Sequence, residues 1–482
     1  LDELVREALD IAIARGAGYA DARLLETSRE DVIVKDGRLG GLEQTESRGI
    51  GVRVLVNGAW GYAATDGLTR ESVQACAAHA VAIGRASARV LDQPVRLAPE
   101  PAHHAVWASP CAIDPFAVPL DRKLDLLHRI DAALRAVPGV TIAESFLTFA
   151  RRRQYFLSSE GADIDQTVTR SGGGYAATAV SGNEVQRRSY PQAEGHHQTM
   201  GWEFIESVPW VEEAPRIAAE AVALLSADPC PAGQYDLVLE GSQLALQIHE
   251  SVGHPSELDR VLGMEANYAG ASFLTLDTMG TLRFGSPQVT LVADATLPHG
   301  LSTFAFDDEG VAAQRWPIVR EGMFEGYLTS RELAHRVGEE RSRGCVRTDG
   351  WHHIPMIRMV NLSLMPGAGS LEDLLGDTEH GIYMETNRSW SIDQLRYNFQ
   401  FKTEIAWEIR RGKRVRMLKN PTYQGITTQF WNSCDFVCGE AAWRPWGVVN
   451  CGKGQPGQVA DMTHGAAPAR FRKVRVGVGY DD

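Results

Sequence analysis

No apolar run in this sequence approaches the ~18 residues that a membrane-crossing helix requires, so no membrane partner is expected. Positive charge is in short supply too. Lys and Arg number 48 against 61 Asp and Glu, a formal net charge of −13, which argues against nucleic acid or an anionic membrane surface as a main partner. Cysteine is sparse, odd in number and dispersed, seven in 482 residues; that pattern fits a reducing, cytoplasmic setting better than a disulfide framework. The first residues lack the basic-then-apolar profile of a secretory signal. Because the chain begins at Leu1 and not at Met, further residues are expected to precede it. There is no low-complexity tract and no clear internal repeat. The glycine run Gly172 to Gly174 lacks the Gly-Lys-Ser/Thr that completes a phosphate loop, so close strand packing is its expected meaning.

What remains is the composition of an ordinary globular protein, 44% hydrophobic and 23% charged, on a chain too long for a single core. Two domains are expected, 1–230 and 231–482, joined across "SADPCPAGQ" with its two prolines and a glycine. The first half alternates helix and strand signals. Helices are predicted over 1–16, 70–86, 121–136 and 214–226. Short strands are predicted around Asp36-Gly37, and a hairpin at Asn57-Gly58, a strong turn signal. The second half reads as short β segments, among them "YDLVLE", "VTLVAD", a hairpin at Glu321-Gly322, another at Gly412-Lys413 and a terminal "RKVRVGVG". One helix interrupts them, "QLALQIHESVGH", with Ser242 as its expected N-cap. The fold class is therefore α+β, an N-terminal α/β domain with antiparallel strands and helices followed by a β-rich domain.

The chemistry sits on that helix. In "IHESVGH" two histidines, His249 and His254, stand five residues apart with Glu250 beside the first. The common zinc-protease spacing is four, which places both rings on one helical face. Five residues put them about 140° apart around a regular helix, so a shared metal requires a distorted turn. A π-bulge brings positions five apart toward one face. Gly253 and Pro255 favour distortion, and Pro255 is expected to turn His254 out of helical dihedrals and end the helix there. Such a triplet arises readily by chance among fourteen histidines, so a third ligand is needed. The residues leave it open among Glu257, Asp259, His352, His353, Cys434, Cys438 and Cys451. Cys451 lies in a Gly-rich turn near Lys453, which suits a thiolate ligand. Cys434 and Cys438 lack a second pair and read as packing. His79, His128, His335 and His380 read as ordinary surface or boundary histidines.

The segments "HESVGHPSELD", "FDDEG" (306–310), "EGMFEGYLTS", "HHIPMIRMVN" (352–361), "GIYM" (381–384), "NCGKGQPGQ" (450–458) and the "VRVGVG" tail follow one another in an order that resembles the TldD branch of the TldD/PmbA metallopeptidases. In the first half, "SRGIGVRVLVNGAWGYAAT" and "GGGY" fit as well, so the resemblance spans essentially the whole chain. It implies a zinc ion held by His249, His254 and Cys451, with Glu250 as general base and no metal ligand itself. It also implies a dimer enclosing a cavity, either a homodimer or a heterodimer with a metal-free PmbA/TldE relative. The implied substrates are unfolded or short peptides. Two departures stand out. Pro255-Ser256 replaces a glycine-led step, and the Trp-rich "FWNSCDFVCGEAAWRPWGVVN" before Cys451 is expected to reshape the pocket.

On that reading the tetrahedral oxyanion needs a second electrophile, and His353 and Arg358 are the candidates. Glu257 and Asp259 are candidates for orienting the ligand histidines. Two other functions compete with the peptidase: a zinc hydrolase of an amide or other C–N bond in a natural-product intermediate, and a non-catalytic peptide-binding subunit.

Overall fold

Primed β-turns organise the first half. Asp36 and Gly37 (φ 49° and 75°) and Asn57 and Gly58 (φ 51° and 80°) take the left-handed conformations that two-residue hairpins need. In this computed structural model, which describes residues 1–268, 270–454 and 457–477, the turns link strands Tyr19–Lys35, Arg38–Val56 and Ala59–Thr65. The first two are 17 and 19 residues long, far longer than the short strands expected. Polar residues 43–47 are exposed strand paired against residues 27–31. Gln455 and Pro456 of the predicted cysteine turn, and Val478 and Gly479 of the predicted terminal segment, lie outside the described residues.

Helix Asp2–Ala14 precedes this meander and helix Arg70–Ser87 follows it. The arrangement then recurs: helix Leu120–Arg135, strands Val140–Ser158, Asp163–Ser181 and Glu184–Tyr190, and helix Trp210–Leu224. Tyr19–Lys35 pairs antiparallel with Val140–Ser158, fusing the two units into one eight-stranded sheet. The two units share an order of elements and no evident sequence periodicity. The glycine run sits where strands and rings crowd together; a Cβ on Gly172 would lie 1.8 Å from the His197 ring.

In the second half the strands are also longer than read from the sequence. Gly233–Leu239, His380–Ile392, Asn398–Arg410, Thr422–Ile426 and Ala469–Val476 each pair with two of the others and close a ring. The tight turn falls at Arg411-Gly412, one residue before the expected place. Phe399, Phe401, Tyr423, Phe430 and Phe471 pack against one another as part of its core. Helix Gly241–Ile248 leaves the end of Gly233–Leu239 and is buried along its whole length. Two of its glutamines meet at one hydroxyl, since Gln243 donates to the Tyr423 hydroxyl (2.9 Å) and Tyr423 donates to Gln247 (3.0 Å). A separate hairpin, Arg444–Lys453 with Gln458–Ala466, carries Cys451.

The expected linker is not a free tether, because Asp228–Pro229 pairs in parallel with Leu418 and Lys419. Buried ion pairs join the first sheet to the second half: Arg23 to Asp308 (3.1 Å), Arg53 to Glu309 (3.1 Å) and Arg188 to Glu404 (3.1 Å). The class is α+β with more strand than helix and more than one domain. No helix among the described residues is long and apolar enough to cross a membrane.

Candidate metal centre

The five-residue spacing is resolved by the backbone. Helix Gly241–Ile248 widens into a π-turn over His249–Gly253 and tightens into a 3₁₀ turn over His254–Ser256. A π-turn accommodates one extra residue, so the two rings come to the same side with centroids 4.8 Å apart and planes at 85°. Gly253 is required for room. A Cβ there would stand 2.0 Å from the Met359 sulfur. Two local expectations are corrected. The N-cap is Glu240, whose carboxylate accepts from the Ser242 amide at 2.8 Å. His254 keeps helical dihedrals (φ −59°, ψ −44°), because Pro255 enters at the start of the 3₁₀ turn, where its missing N–H costs nothing. The widened turn, and not termination at His254, returns the second ring.

Cys451 arrives from the hairpin on the opposite side. The ligating atoms of His249, His254 and Cys451 all lie within 4.8 Å of one another, and each residue is buried. Cys451 Sγ is 3.6 Å from His254 Nε2. Among the described residues no other trio of such side chains converges. Cys434 and Cys438 are buried as packing groups, and His352 stacks on His353.

Hydrogen bonds behind the rings set their tautomers. His464 Nδ1 lies 2.8 Å from the Leu362 carbonyl, which only accepts, so the His464 proton sits on Nδ1. Its bare Nε2 then accepts from His249 Nδ1–H at 2.8 Å, leaving the His249 Nε2 lone pair free. His254 Nδ1 donates to Glu257 at 2.9 Å, freeing Nε2 on the cysteine side. This is the carboxylate–imidazole support that metal-ligating histidines use. Glu257 is held in turn by Lys453 (3.2 Å) and Arg260 (3.3 Å). Burial pushes its carboxyl up, yet Lys453, His254 and Arg260 together hold it well below the usual range. Asp259 touches neither histidine; it accepts from Lys453 at 2.8 Å.

Electrostatics prepare the same set. Burial lowers His249 to about 4, and also lowers His254 and His464, the direction that frees imidazole lone pairs. Burial pushes the Cys451 thiol up, but His254 and Arg358 carry its net direction below the ordinary value. Two imidazoles and an ionisable thiol, converging in a buried site, fit a borderline-soft divalent cation.

Glu250 lies on the π-turn itself, and its carboxylate meets Arg396 at 2.6 Å. Arg396 sits in the left-handed region (φ 63°), between strands His380–Ile392 and Asn398–Arg410. Arg358, a candidate oxyanion donor from the sequence, is engaged with backbone. Arg358 donates to the carbonyls of Gln458 (2.9 Å) and Cys451, bracing the cysteine hairpin with both terminal nitrogens. His353 Nδ1 bonds Asp349 at 2.6 Å, and Asp349 accepts from the Val459 amide of the same hairpin. Sequence reasoning missed His464 and Arg396. His464 lies in "DMTHG" with no motif around it, and Arg396 is marked only by an Asp-Gln-Leu-Arg turn. The Trp-rich segment divides its work. Trp431 donates to Ser251 in the π-turn (2.9 Å), while Trp446 lies on the strand that carries Cys451.

Comparison with known proteins agrees with this architecture. Sequence models of the PmbA/TldA metallopeptidases match three stretches: domain 1 at 20–84, the central domain at 113–227 and the C-terminal domain at 232–477. A metalloprotease of Methanocaldococcus jannaschii is 28% identical, over 84% of this chain and 86% of its own. A "Metalloprotease TldD homolog" of Haemophilus influenzae is 27% identical, over 97% and 94%. A "Zinc metalloprotease TldD homolog" of Saccharolobus solfataricus is 21% identical, over 96% and 97%. Among solved structures, TldE from Thermococcus kodakarensis superposes with a TM-score of 0.73 at 16% identity, covering 98% of this chain and all of that one. A Thermotoga maritima protein described as a candidate modulator of a DNA gyrase reaches 0.78 at 18%, covering 98% and 99%. These two likenesses concern the fold alone.

Proposed function

We propose, for a chain that belongs to the PmbA/TldD metallopeptidase family, that it is a zinc-dependent hydrolase of peptide bonds in unfolded or short peptides. The observation that carries the reading is the convergence of His249, His254 and Cys451 around a π-turn that also bears Glu250. The zinc ligands would be His249 Nε2, His254 Nε2 and Cys451 Sγ, with residues 231–482 as the catalytic unit and 1–230 as the accompanying one. When bound there, zinc supplies Lewis acidity and lowers the pKa of water. Glu250 takes the proton of the attacking water and returns it to the leaving amine nitrogen. Arg396 holds that carboxylate in place, and His464 and Glu257 keep the ligand rings in the required tautomers. An unfolded substrate adds as a strand, which engages backbone groups and reads little sequence. The chain works in the cytoplasm as a homodimer, or as a heterodimer with a TldE-type relative.

A second reading keeps the zinc chemistry but places a small amide or C–N substrate in the site. It is favoured by a largely apolar cleft beside the metal helix, lined by Ala245, Leu246, Trp390, Val448 and Asn450. Elemental analysis of the protein beside its Cys451→Ser and His254→Ala variants tests the centre. About one zinc per chain, lost in both variants, is the expected result; retention in Cys451→Ser removes the third ligand. Glu250→Gln should keep the metal while hydrolysis of unstructured peptides falls about 10²–10⁴-fold. If peptide turnover survives Glu250→Gln unchanged, the site is a binding subunit's and not an enzyme's.

A further inference from the structure

A second polar cavity, of about 40 Å³, lies where the first sheet meets the other half of the chain. Strands Val140–Ser158 and Asp163–Ser181 contribute Arg152, Gln154, Gln166 and Arg170 to its lining, and the second half contributes Asp308 and Arg347. The charges do not balance. Of the three guanidiniums, Arg152 (3.4 Å) shares the Asp308 carboxylate with Arg23 (3.1 Å) and the Thr348 amide (2.7 Å), Arg170 pairs with Asp461, and Arg347 has no ion pair among the described residues. Arg170 spends one terminal nitrogen on Asp461 (2.8 Å) and the other on the Leu301 carbonyl (2.9 Å). Arg347 spends both of its own on the carbonyls of Asp461 and Met359.

Three buried donors around this cavity have no acceptor among the described residues: Gln154 Nε2, Arg170 Nε and Arg347 Nε. Gln154 is only 2% exposed and Arg347 9%. A buried N–H without an acceptor is costly, and an excess buried charge more so. Burial, with Arg358 and Arg170 nearby, lowers Arg347 to about 9, the direction expected of a guanidinium short of counter-charge. Water satisfies donors, but it does not neutralise charge.

We propose that this cavity is a binding site for a small tetrahedral oxyanion of the phosphate or sulfate class, held between the two halves of the chain by Gln154, Arg170 and Arg347. The site is separate from the histidine–cysteine centre and does not rest on the peptidase reading. Its occupant links the first sheet to strand Gln458–Ala466, because Arg170 and Arg347 both also hold Asp461 of that strand. That strand is the hairpin partner of the one carrying Cys451.

The test is thermal unfolding of the full chain during titration with inorganic phosphate against sodium chloride of matched ionic strength. Expected is a saturable rise in Tm, as for any ligand that binds only the folded state. Arg170→Gln should weaken the half-saturating concentration about tenfold or more, the effect of losing a charged donor. Gln154→Glu places a carboxylate in the cavity. It should raise Tm in chloride alone and abolish the phosphate response, which keeps the test decisive if Arg170→Gln folds poorly. Cys451→Ser should respond like the parent, which separates this site from phosphate held at a metal. A rise that is linear, unsaturated and equal in every variant is general solute exclusion and overturns the proposal. So does a Gln154→Glu protein with lower Tm and an intact phosphate response, or a response lost in Cys451→Ser.

Discussion

At the scale of single residues, the centre depends on groups that never touch a metal. His464 fixes the His249 tautomer only because its own proton is committed to the Leu362 carbonyl. His464→Ala removes the acceptor for His249 Nδ1–H and should weaken metal affinity about 10–100-fold, measured by competition with a chromogenic chelator. His464→Gln, which offers an amide oxygen, should recover part of that loss. The proposed ligands His249 and His254 were legible as candidates in the sequence, because they share one short stretch with Glu250. Cys451 was one candidate among several until the resemblance singled it out. His464 and Arg396 were not legible. Each meets the centre through a hydrogen bond to a residue 215 or 146 positions away, and no local spacing encodes that.

The π-turn is the decisive element. Its need was readable, since five-residue spacing on a regular helix splays the rings by about 140°. Its cause was only half readable. Gly253 was correctly singled out as permissive, but the helical backbone of His254 shows that Pro255 does not bend the chain away. Tertiary contact decides the matter, because the turn lies against Met359, which is fully buried. Gly253→Ala should therefore cost about 1–3 kcal/mol through overpacking and lower zinc occupancy with it. Urea unfolding of the metal-free protein, beside the metal content, reads both effects. An unchanged midpoint would show that the turn tolerates a methyl and that Met359 moves freely.

At the scale of the whole molecule, the two halves meet over buried polar groups, and some of these respond to pH. His196 and His197 lie where the first sheet meets the hairpin that carries Cys451; His196 packs on Trp446. Burial lowers His196 to about 3, helped by its neighbour His197; burial, with Arg29 and Arg170 nearby, lowers His197 to about 4. Both folded values lie below the unfolded value of about 6.5, so between them the unfolded chain binds more protons. Stability present near pH 7 is lost as pH falls from about 6.5 through about 4, roughly 3 kcal/mol from His197 alone. Urea midpoints near pH 7 and pH 5 should differ in that sense. A His196→Phe/His197→Phe protein should show a flatter profile.

Helix positions, turn residues, overall class and the chemically active stretch follow from local rules, since apolar periodicity, Asn-Gly and Asp-Gly pairs and the histidine spacing act within a few residues of where they are written. Longer pairings were decided only in the folded chain. The polar ends of the long strands become strand because a partner lies beside them, and the topological repeat exists in strand order and not in residues. The closed ring of five strands joins Gly233–Leu239 to Ala469–Val476, and the candidate metal centre joins residues about two hundred positions apart. The oxyanion cavity needs donors from both halves at once. Each of these depends on which distant surfaces are buried against each other, a property of packing that no window of sequence contains.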